Sequence, residues 1–255
     1  TIYTGIKEDN LEQSYEQIKE IILKQDLSEE IKESIKEAYD ALNIDLGSIT
    51  AEKLLLPGDS NVALRTSPIS SELDSLLSKQ QSTILNIKGV EELYDSLKKC
   101  WTSLFTPNIL KYRLDKNIGL NLGVSLLVQK MIDSDKSGLA YSTNPEGPNY
   151  EILIKAYLGF GNIIEEKLVP FDYYVVDKEN LDIKEQRINK QEWQFARNFE
   201  TGETTKIRVS DNKSNAKKID DYEIIKVARI TKKIESLFEK PQQVEWAIEG
   251  DEYFI

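Results

Sequence analysis

Hydrophobic and polar residues follow two different periods along the chain, and the changes of period separate helical from strand-forming regions. Apolar residues recur every three or four positions over residues 10–43, 90–106 and 221–238, which predicts amphipathic helices there. From residue 120 to residue 177 they form short runs bounded by turn-forming residues, which is typical of strands. A polar segment, 178–212, predicts a hairpin outside the main sheet. This order predicts an α+β fold dominated by an antiparallel sheet.

The segment 61–87 joins two short apolar runs through a polar loop. The first run, Val62–Leu64, ends on Arg65, and the second, Thr83–Ile87, follows a loop rich in serine. A guanidinium group is a planar fork that matches phosphate oxygens and never loses its charge, and a loop with many backbone N–H groups can fold over a polyphosphate. The pattern therefore indicates either a phosphate clamp at Arg65 or a strand-end arginine in a surface ion pair.

The segment VQKM, residues 128–131, carries polar side chains inside a predicted buried strand. Alternation along a strand places Gln129 and Met131 on the opposite side from Val128 and Lys130. Such a strand can be the hinge of a nucleotide cleft, where backbone groups bind the base edge and apolar side chains cover its face. It can equally be an ordinary sheet core with one solvated lysine.

Two oxygen-bearing side chains near the end of the chain share one face of a predicted strand. In QVEW, residues 243–246, Gln243 and Glu245 alternate with apolar residues. Mg²⁺ takes oxygen ligands, commonly one or two carboxylates, with the others from water and phosphate. The pair therefore indicates either a magnesium site with a single protein charge or a half-exposed edge strand.

Two glycines follow an apolar strand in LGFGN, residues 158–162. Glycine beside a strand marks a tight bend or a place where another backbone approaches closely. A lone pair of glycines does not identify a ligand site, so this motif predicts local geometry only.

Composition excludes several classes of function. The formal charge of the 255 residues is −11, which argues against a broad basic face for nucleic acid. No apolar run approaches the roughly 18 residues that a membrane span requires, so no membrane partner is expected. The one cysteine, Cys100, permits no internal disulfide, which fits a reducing cytoplasmic compartment. Its place on an apolar helical face predicts a buried thiol.

The residues that the chain lacks also limit its chemistry. It has no histidine, so it cannot itself supply a histidine base, metal ligand or phosphate carrier. Residue 1 is threonine and the only methionine is Met131. We therefore expect a processed form or a piece of a longer protein.

The motifs and their order resemble the N-terminal nucleotide-binding region of the phosphoenolpyruvate synthase and pyruvate phosphate dikinase family. The resemblance covers residues 11–255. It rests on ALRTS at 63–67, QQSTILNI at 80–87, CWTSLFTPNILKYR at 100–113, VQKMIDSDKSGLAYSTNP at 128–145, LGFGN at 158–162, PFDYYVV at 170–176 and PQQVEWAIEGDEYFI at 241–255.

The resemblance implies an ATP-grasp fold, with two lobes of mainly antiparallel sheets and flanking helices, incomplete at both ends. It implies an N-terminal helical segment and linker over 1–60, a first lobe over 61–117 and a second lobe over 118–255. It also implies ATP and Mg²⁺ as cofactors.

Roles for single residues follow from the same resemblance. Arg65 is implied as the catalytic arginine that holds the transferring phosphates of ATP, and Thr83 as a further phosphate contact. The implied adenine hinge is Gln129, Lys130 and Met131, and the implied magnesium ligands are Glu245 and Gln243.

In the family that the chain resembles, ATP passes its β-phosphoryl group to a histidine on a separate swivelling domain. That domain carries the group to pyruvate on a barrel domain. The expected partners are therefore a phosphohistidine domain and a pyruvate- or phosphoenolpyruvate-binding domain, on the same or a separate polypeptide, and the isolated chain is expected to be inactive. Rifampin phosphotransferases carry the same module, and a homo-oligomer is compatible with the sequence.

The chain departs from the family pattern at several positions around the implied site. Lys79 replaces a glycine, Gln243 replaces an aspartate, and Asn162 replaces an acidic residue. A lysine at position 79 blocks close backbone approach to phosphate or supplies a new charge. These departures keep open a catalytically degenerate homologue that binds nucleotide or serves in assembly.

Overall fold

A computed structural model describes residues 5–43, 61–68, 83–119, 123–161, 170–198 and 201–255. Within it the chain forms two compact units, Thr1–Met131 and Ile132–Ile255. The linker over 44–60, most of the serine loop with Lys79, and Asn162 lie outside the described residues, and so do the expectations placed on them.

The first unit combines helices with a three-stranded sheet. Its elements are α1 (Leu11–Lys24), α2 (Glu29–Asn43), β1 (Asn61–Pro68), β2 (Thr83–Lys88), α3 (Val90–Thr102), a 3-10 turn (Ser103–Phe105), α4 (Pro107–Asp115) and β3 (Val124–Lys130). The strands lie in the order β2-β1-β3, and both neighbouring pairs are antiparallel.

One face of this sheet forms the core of the first unit. Val62, Leu64 and Ile87 are fully buried in one apolar cluster with side chains of α3. Cys100 belongs to the same cluster, and burial raises the pKa of its thiol to about 11, as expected for an inert buried cysteine. Because side chains alternate along a strand, the other face of the sheet carries Asn61, Ala63, Arg65 and Ser67 of β1.

The second unit contains a six-stranded antiparallel sheet, a separate hairpin and one long helix. Its elements are β4 (Lys136–Tyr141), β5 (Glu151–Leu158), β6 (Asp172–Asp177), β7 (Ile183–Arg187), β8 (Trp193–Arg197), β9 (Thr204–Arg208), α5 (Asp211–Ser214), α6 (Asp221–Phe238), β10 (Gln243–Glu249) and β11 (Glu252–Phe254). The large sheet has the order β11-β10-β4-β5-β6-β7, and β8 pairs only with β9.

Helix α6 covers one face of the six-stranded sheet. Its start is fixed by a capping box, in which the Asp220 side chain accepts from the Glu223 N–H and the Glu223 side chain accepts from the Asp220 N–H. Buried side chains of α6 join those of four strands in one core. The opposite face of the sheet is not covered by α6, and it carries the alternate residues of β4, β5, β6 and β10.

The hairpin β8–β9 attaches to the end of β5 at a glycine, as the LGFGN motif predicts. Gly159 has φ +86°, and an added Cβ would lie 2.4 Å from the carbonyl oxygen of Phe195. The next N–H, that of Phe160, donates to the same oxygen at 2.9 Å. An ion pair between Arg197 and Asp133 ties the hairpin to the start of the unit.

The α+β prediction is confirmed, and the described residues contain six helices and three antiparallel sheets. The chain divides after Met131 because β3 pairs with β1 over its whole length. The sequence interpretation begins the second lobe at residue 118, whereas β3 lies in the first unit. The ATP-grasp arrangement stays a prediction.

Substituting Gly138 by alanine should destabilise the second unit. An added Cβ would meet the backbone oxygen of Lys155 at 1.9 Å and the Trp246 ring at 2.5 Å, and neither can move without disturbing the sheet. We expect a loss of about 1–3 kcal/mol in the free energy of unfolding, typical of overpacking. Urea denaturation should show it, with Gly119→Ala, where an added Cβ meets nothing within 4 Å, as the control. Equal midpoints for both variants would contradict this prediction.

Candidate functional site

Arg65 lies on the face of the three-stranded sheet that points away from the helical core. In β1 it stands directly opposite Thr83 of β2 and Leu127 of β3. Directly opposed residues of antiparallel strands share a face. All three are exposed, and Leu127 keeps 56% of its surface accessible. The structure therefore brings Arg65 and Thr83 together, beside an exposed apolar side chain.

The Arg65 guanidinium has no internal partner in the described part of the chain. Neither a hydrogen bond nor an ion pair is made by this side chain with any described residue. A surface ion pair, the alternative explanation for Arg65, is therefore not found there. An unpaired guanidinium on an open sheet face keeps its five donors for an external anion.

Gln129 lies on the same face as Arg65. It is exposed, opposite Ala63 of β1, and two positions from Leu127 along β3. Lys130 is opposite Val62, so it falls on the other side of the strand, where it is exposed at the strand end. The sequence prediction that Gln129 and Lys130 point to opposite sides is confirmed.

The backbone around Lys130 has a free edge, because β3 has β1 as its only strand partner among the described residues. The N–H of Met131 donates to the carbonyl of Asn61 at 2.8 Å, so it is not available to a base. In an antiparallel ladder hydrogen-bonded and non-hydrogen-bonded pairs alternate. The backbone groups of Lys130 therefore point away from β1, as a hinge that binds the edge of a purine requires.

Met131 is anchored through its side chain as well. Asn86 has φ +61°, a left-handed conformation that asparagine tolerates better than most residues, and its N–H lies 3.0 Å from the Met131 sulfur. The thioether is thereby held between β2 and the end of β3. Of the three predicted hinge residues, Met131 has the least freedom to move.

Gln243 and Glu245 lie on the face of the six-stranded sheet that α6 leaves uncovered. Both are exposed, whereas Val244, which lies between them, and Trp246, which follows Glu245, are buried in the core. Their cross-strand neighbours on β4 are Tyr141 and Leu139 respectively. Neither side chain makes a hydrogen bond or ion pair with a described residue.

The donor set at Glu245 is small for a metal site. The described residues contain no group of three or more histidine, cysteine, aspartate or glutamate side chains that could hold a metal ion. One carboxylate and one amide oxygen on the same face still fit Mg²⁺, which keeps several waters and is commonly held together with substrate phosphates. They do not fit a metal held entirely by protein ligands.

Sequence reasoning missed a lysine within an aromatic cluster on this same face. The Lys155 ammonium lies 5.1–5.5 Å from the ring centres of Tyr141, Phe171 and Tyr173. Burial, with a smaller effect of the neighbouring tyrosines, raises the pKa of Tyr157 to about 12. The detectable signal was a lysine in the middle of an apolar strand, EILIKAYL.

The predicted site residues thus form two groups in separate units. Arg65, Thr83 and Gln129 share one face of the first sheet, with Lys130 and Met131 at its end. Gln243 and Glu245 share one face of the second sheet.

The family described as "Pyruvate phosphate dikinase, AMP/ATP-binding domain" matches residues 1–255, the whole chain. The chain belongs to this family. The resemblance recognised from its motifs is confirmed, and the open sheet face at Arg65 is part of an AMP/ATP-binding domain.

Individual relatives of this AMP/ATP-binding domain are considerably longer proteins. A probable phosphoenolpyruvate synthase of Archaeoglobus fulgidus is 36% identical over 76% of the chain and 26% of its own length. A second, of Methanothermobacter thermautotrophicus, is 31% identical over 96% of the chain and 35% of its own length. A rifampicin phosphotransferase of Bacillus cereus is 28% identical over 98% of the chain and 27% of its own length. The chain therefore spans about a third or less of these relatives.

None of the helices in the described residues is both long enough and apolar enough to cross a membrane.

Proposed function

We propose that this AMP/ATP-binding domain binds ATP and passes a phosphoryl group from it to a histidine on a separate domain, as part of a phosphoenolpyruvate synthase-like dikinase. The observation that carries the proposal is Arg65, exposed beside Thr83 without an internal partner in the described residues. Phosphoryl transfer requires mainly positioning and charge neutralisation, which a fixed guanidinium supplies.

Each residue of the first sheet has a separate part in this proposal. Arg65 pairs with oxygens of the transferring phosphates, and the hydroxyl of Thr83 donates to a neighbouring phosphate oxygen. The outward backbone groups of Lys130 bind the edge of the adenine, with Gln129 and Met131 as the rest of the hinge. Leu127 offers an apolar surface between Arg65 and Gln129 on the same face.

Glu245 and Gln243 would hold Mg²⁺ through a carboxylate and an amide oxygen. When bound, the ion neutralises charge on the phosphates during transfer. Both residues lie on the face of the second sheet that α6 leaves uncovered. Waters and phosphate oxygens complete its shell.

The acceptor histidine must come from outside this chain, because the chain contains none. We infer a phosphohistidine domain and a pyruvate- or phosphoenolpyruvate-binding domain as partners, since the relatives are longer, multidomain proteins. The proposal includes an ATP-grasp arrangement, for which two antiparallel sheets in separate units are the support. The single buried cysteine supports a reducing compartment such as the cytoplasm.

Two other functions each have a specific observation in their favour. The match to a rifampicin phosphotransferase over nearly the whole chain favours an enzyme with the same ATP chemistry and another acceptor. The single carboxylate at the proposed metal site favours a homologue that binds nucleotide without catalysis. An enzyme of the first kind differs from the proposed dikinase in the molecule that accepts the phosphoryl group. A homologue of the second kind differs in that its nucleotide binding does not depend on Mg²⁺.

Glu245→Gln should weaken binding of ATP in the presence of Mg²⁺ and leave metal-free binding unchanged. The substitution keeps the shape and removes the only carboxylate of the pair, so we expect a loss of about tenfold or more in affinity. Calorimetric titration of ATP with and without Mg²⁺ measures it. Glu252→Gln, on the neighbouring strand β11, is the matched control. If the wild-type chain and the longer protein both bind no Mg²⁺–ATP, the proposed function is wrong.

A further inference from the structure

Aromatic rings hold the Lys155 side chain on the face of the second sheet that α6 leaves uncovered. Three ring centres, those of Tyr141, Phe171 and Tyr173, lie within 5.5 Å of its ammonium, and only 16% of the side chain is exposed. Cation–π contacts of this kind fix the position of an ammonium group, but they do not fill its hydrogen-bond donors.

The Lys155 ammonium makes no hydrogen bond with any residue that the structure describes. Among the described residues it forms an ion pair with Glu146, at a nitrogen–oxygen distance of 3.5 Å. That distance is longer than the 2.7–2.9 Å typical of a charge-assisted hydrogen bond. Glu146 lies in the turn between β4 and β5, and 62% of its side chain is exposed, so its carboxylate can leave without disturbing the fold.

Lys155 stands in line with the proposed magnesium ligand. Register places Glu245 opposite Leu139, and Leu139 opposite Lys155, so all three share one face of the sheet. Two strand spacings separate Glu245 from Lys155, or about 10 Å between their backbones. Long side chains from both positions can therefore contact a single phosphorylated ligand.

We propose that Lys155 binds a phosphate group at the face of the six-stranded sheet that α6 leaves uncovered, and that Glu146 pairs with the ammonium when no ligand is present. The rings of Tyr141, Phe171 and Tyr173 hold the ammonium in place for this contact. The proposal rests on the proposed function, because Glu245 on this face would bind the Mg²⁺ ion of Mg²⁺–ATP, and the phosphate would be one of the phosphates of that ligand. Free phosphate or pyrophosphate has the same chemistry and is the other source.

A purely structural role for Lys155 predicts different results from this anion site. If the lysine only packs against the rings and pairs with Glu146, removing Glu146 lowers stability and does not change ligand affinity. If Glu146 competes with a phosphate, its removal raises affinity. The change in ligand affinity caused by Glu146→Gln therefore distinguishes a structural role for Lys155 from an anion site.

The experiment is calorimetric titration of the chain with three probes, namely Mg²⁺–ATP, pyrophosphate and inorganic phosphate. Lys155→Met should lower the affinity for each probe that the wild-type chain binds by about tenfold or more. A loss of this size corresponds to the free energy of one charge-assisted hydrogen bond. Lys155→Arg should restore most of the affinity, and Glu146→Gln should raise it above wild type. Lys184→Met, which removes a more exposed lysine from the same sheet, should leave it unchanged.

The outcomes distinguish this inference from the proposed function. Binding of Mg²⁺–ATP that is equal in wild type and Lys155→Met overturns the inference and leaves the function intact. Binding of pyrophosphate or phosphate that depends on Lys155, where the chain and the longer protein both bind no Mg²⁺–ATP, retains the anion site and overturns the function. No binding of any probe by the chain or by the longer protein overturns both.

Discussion

Replacing Arg65 with alanine should abolish phosphoryl transfer from ATP in the complete protein and leave the chain folded. The side chain is exposed and has no hydrogen bond or ion pair to lose within the described residues. Its removal therefore affects ligands rather than the core. An arginine that stabilises the charge of a transferring phosphoryl group contributes on the order of 10³-fold or more to the rate. We expect a loss of that size in phosphohistidine formation.

The conservative variant and an unrelated arginine make this test specific. Arg65→Lys keeps the charge but loses the planar fork, so an active site should tolerate it poorly, whereas a non-catalytic scaffold should not respond. Arg187→Ala removes an exposed arginine that pairs with Glu185 on β7 and should leave the rate unchanged. Circular dichroism and urea midpoints establish that each variant is folded. If the Arg65→Ala variant turned over at the wild-type rate, the assignment of Arg65 to the site would be wrong.

Alternation along single strands was enough to predict which side chains share a face. Gln243 and Glu245 alternate with buried residues of one strand, and Gln129 alternates with Lys130, so their placement follows from a period of two. These features depend on local pattern, which a sequence displays directly. That Arg65 stands opposite Thr83 depends instead on the register of β1 with β2, which the structure supplies.

Features that depend on distant segments could not be predicted in this way. The rings around Lys155 come from Tyr141 at the end of β4 and from Phe171 and Tyr173 at the start of β6, so the cluster depends on the register of these strands with β5. The division after Met131 depends on β3 pairing with β1 rather than with its neighbours in sequence. Lys218 lies in a segment rich in charged residues, where lysines are normally solvated, yet only 1% of it is exposed.

Lys218 is buried because it completes a polar network with Asp172. Its ammonium lies 3.2 Å from the Asp172 carboxylate and donates to the carbonyl of Asn189 at 2.5 Å. The carboxylate in turn accepts from the Tyr174 hydroxyl at 2.8 Å and from the backbone N–H groups of Asn189 and Lys218. Burial, followed by the bond to Asp172, raises the pKa of Tyr174, so the phenol remains a donor at physiological pH. The network joins the start of β6 to the segments before β8 and α6.

Lys218→Met should be among the most destabilising single substitutions in the second unit. It leaves the Asp172 carboxylate buried without its counter-charge, which in comparable buried pairs costs about 3–5 kcal/mol. Urea denaturation measures the loss, and Lys217→Met is the matched control. The neighbouring Lys217 forms a surface pair with Asp221, which is worth at most about 1 kcal/mol.

A double-mutant cycle separates the loss of the pair from the loss of packing. Asp172→Asn removes the charge and keeps one oxygen as an acceptor, so combining it with Lys218→Met leaves no isolated buried charge. The double variant should therefore lose less free energy of unfolding than the two single variants lose together. We expect a coupling energy of about 1–3 kcal/mol. Additive losses would mean that Lys218 and Asp172 stabilise the fold independently. A large loss for Lys217→Met would mean that the segment before α6 is sensitive to any substitution.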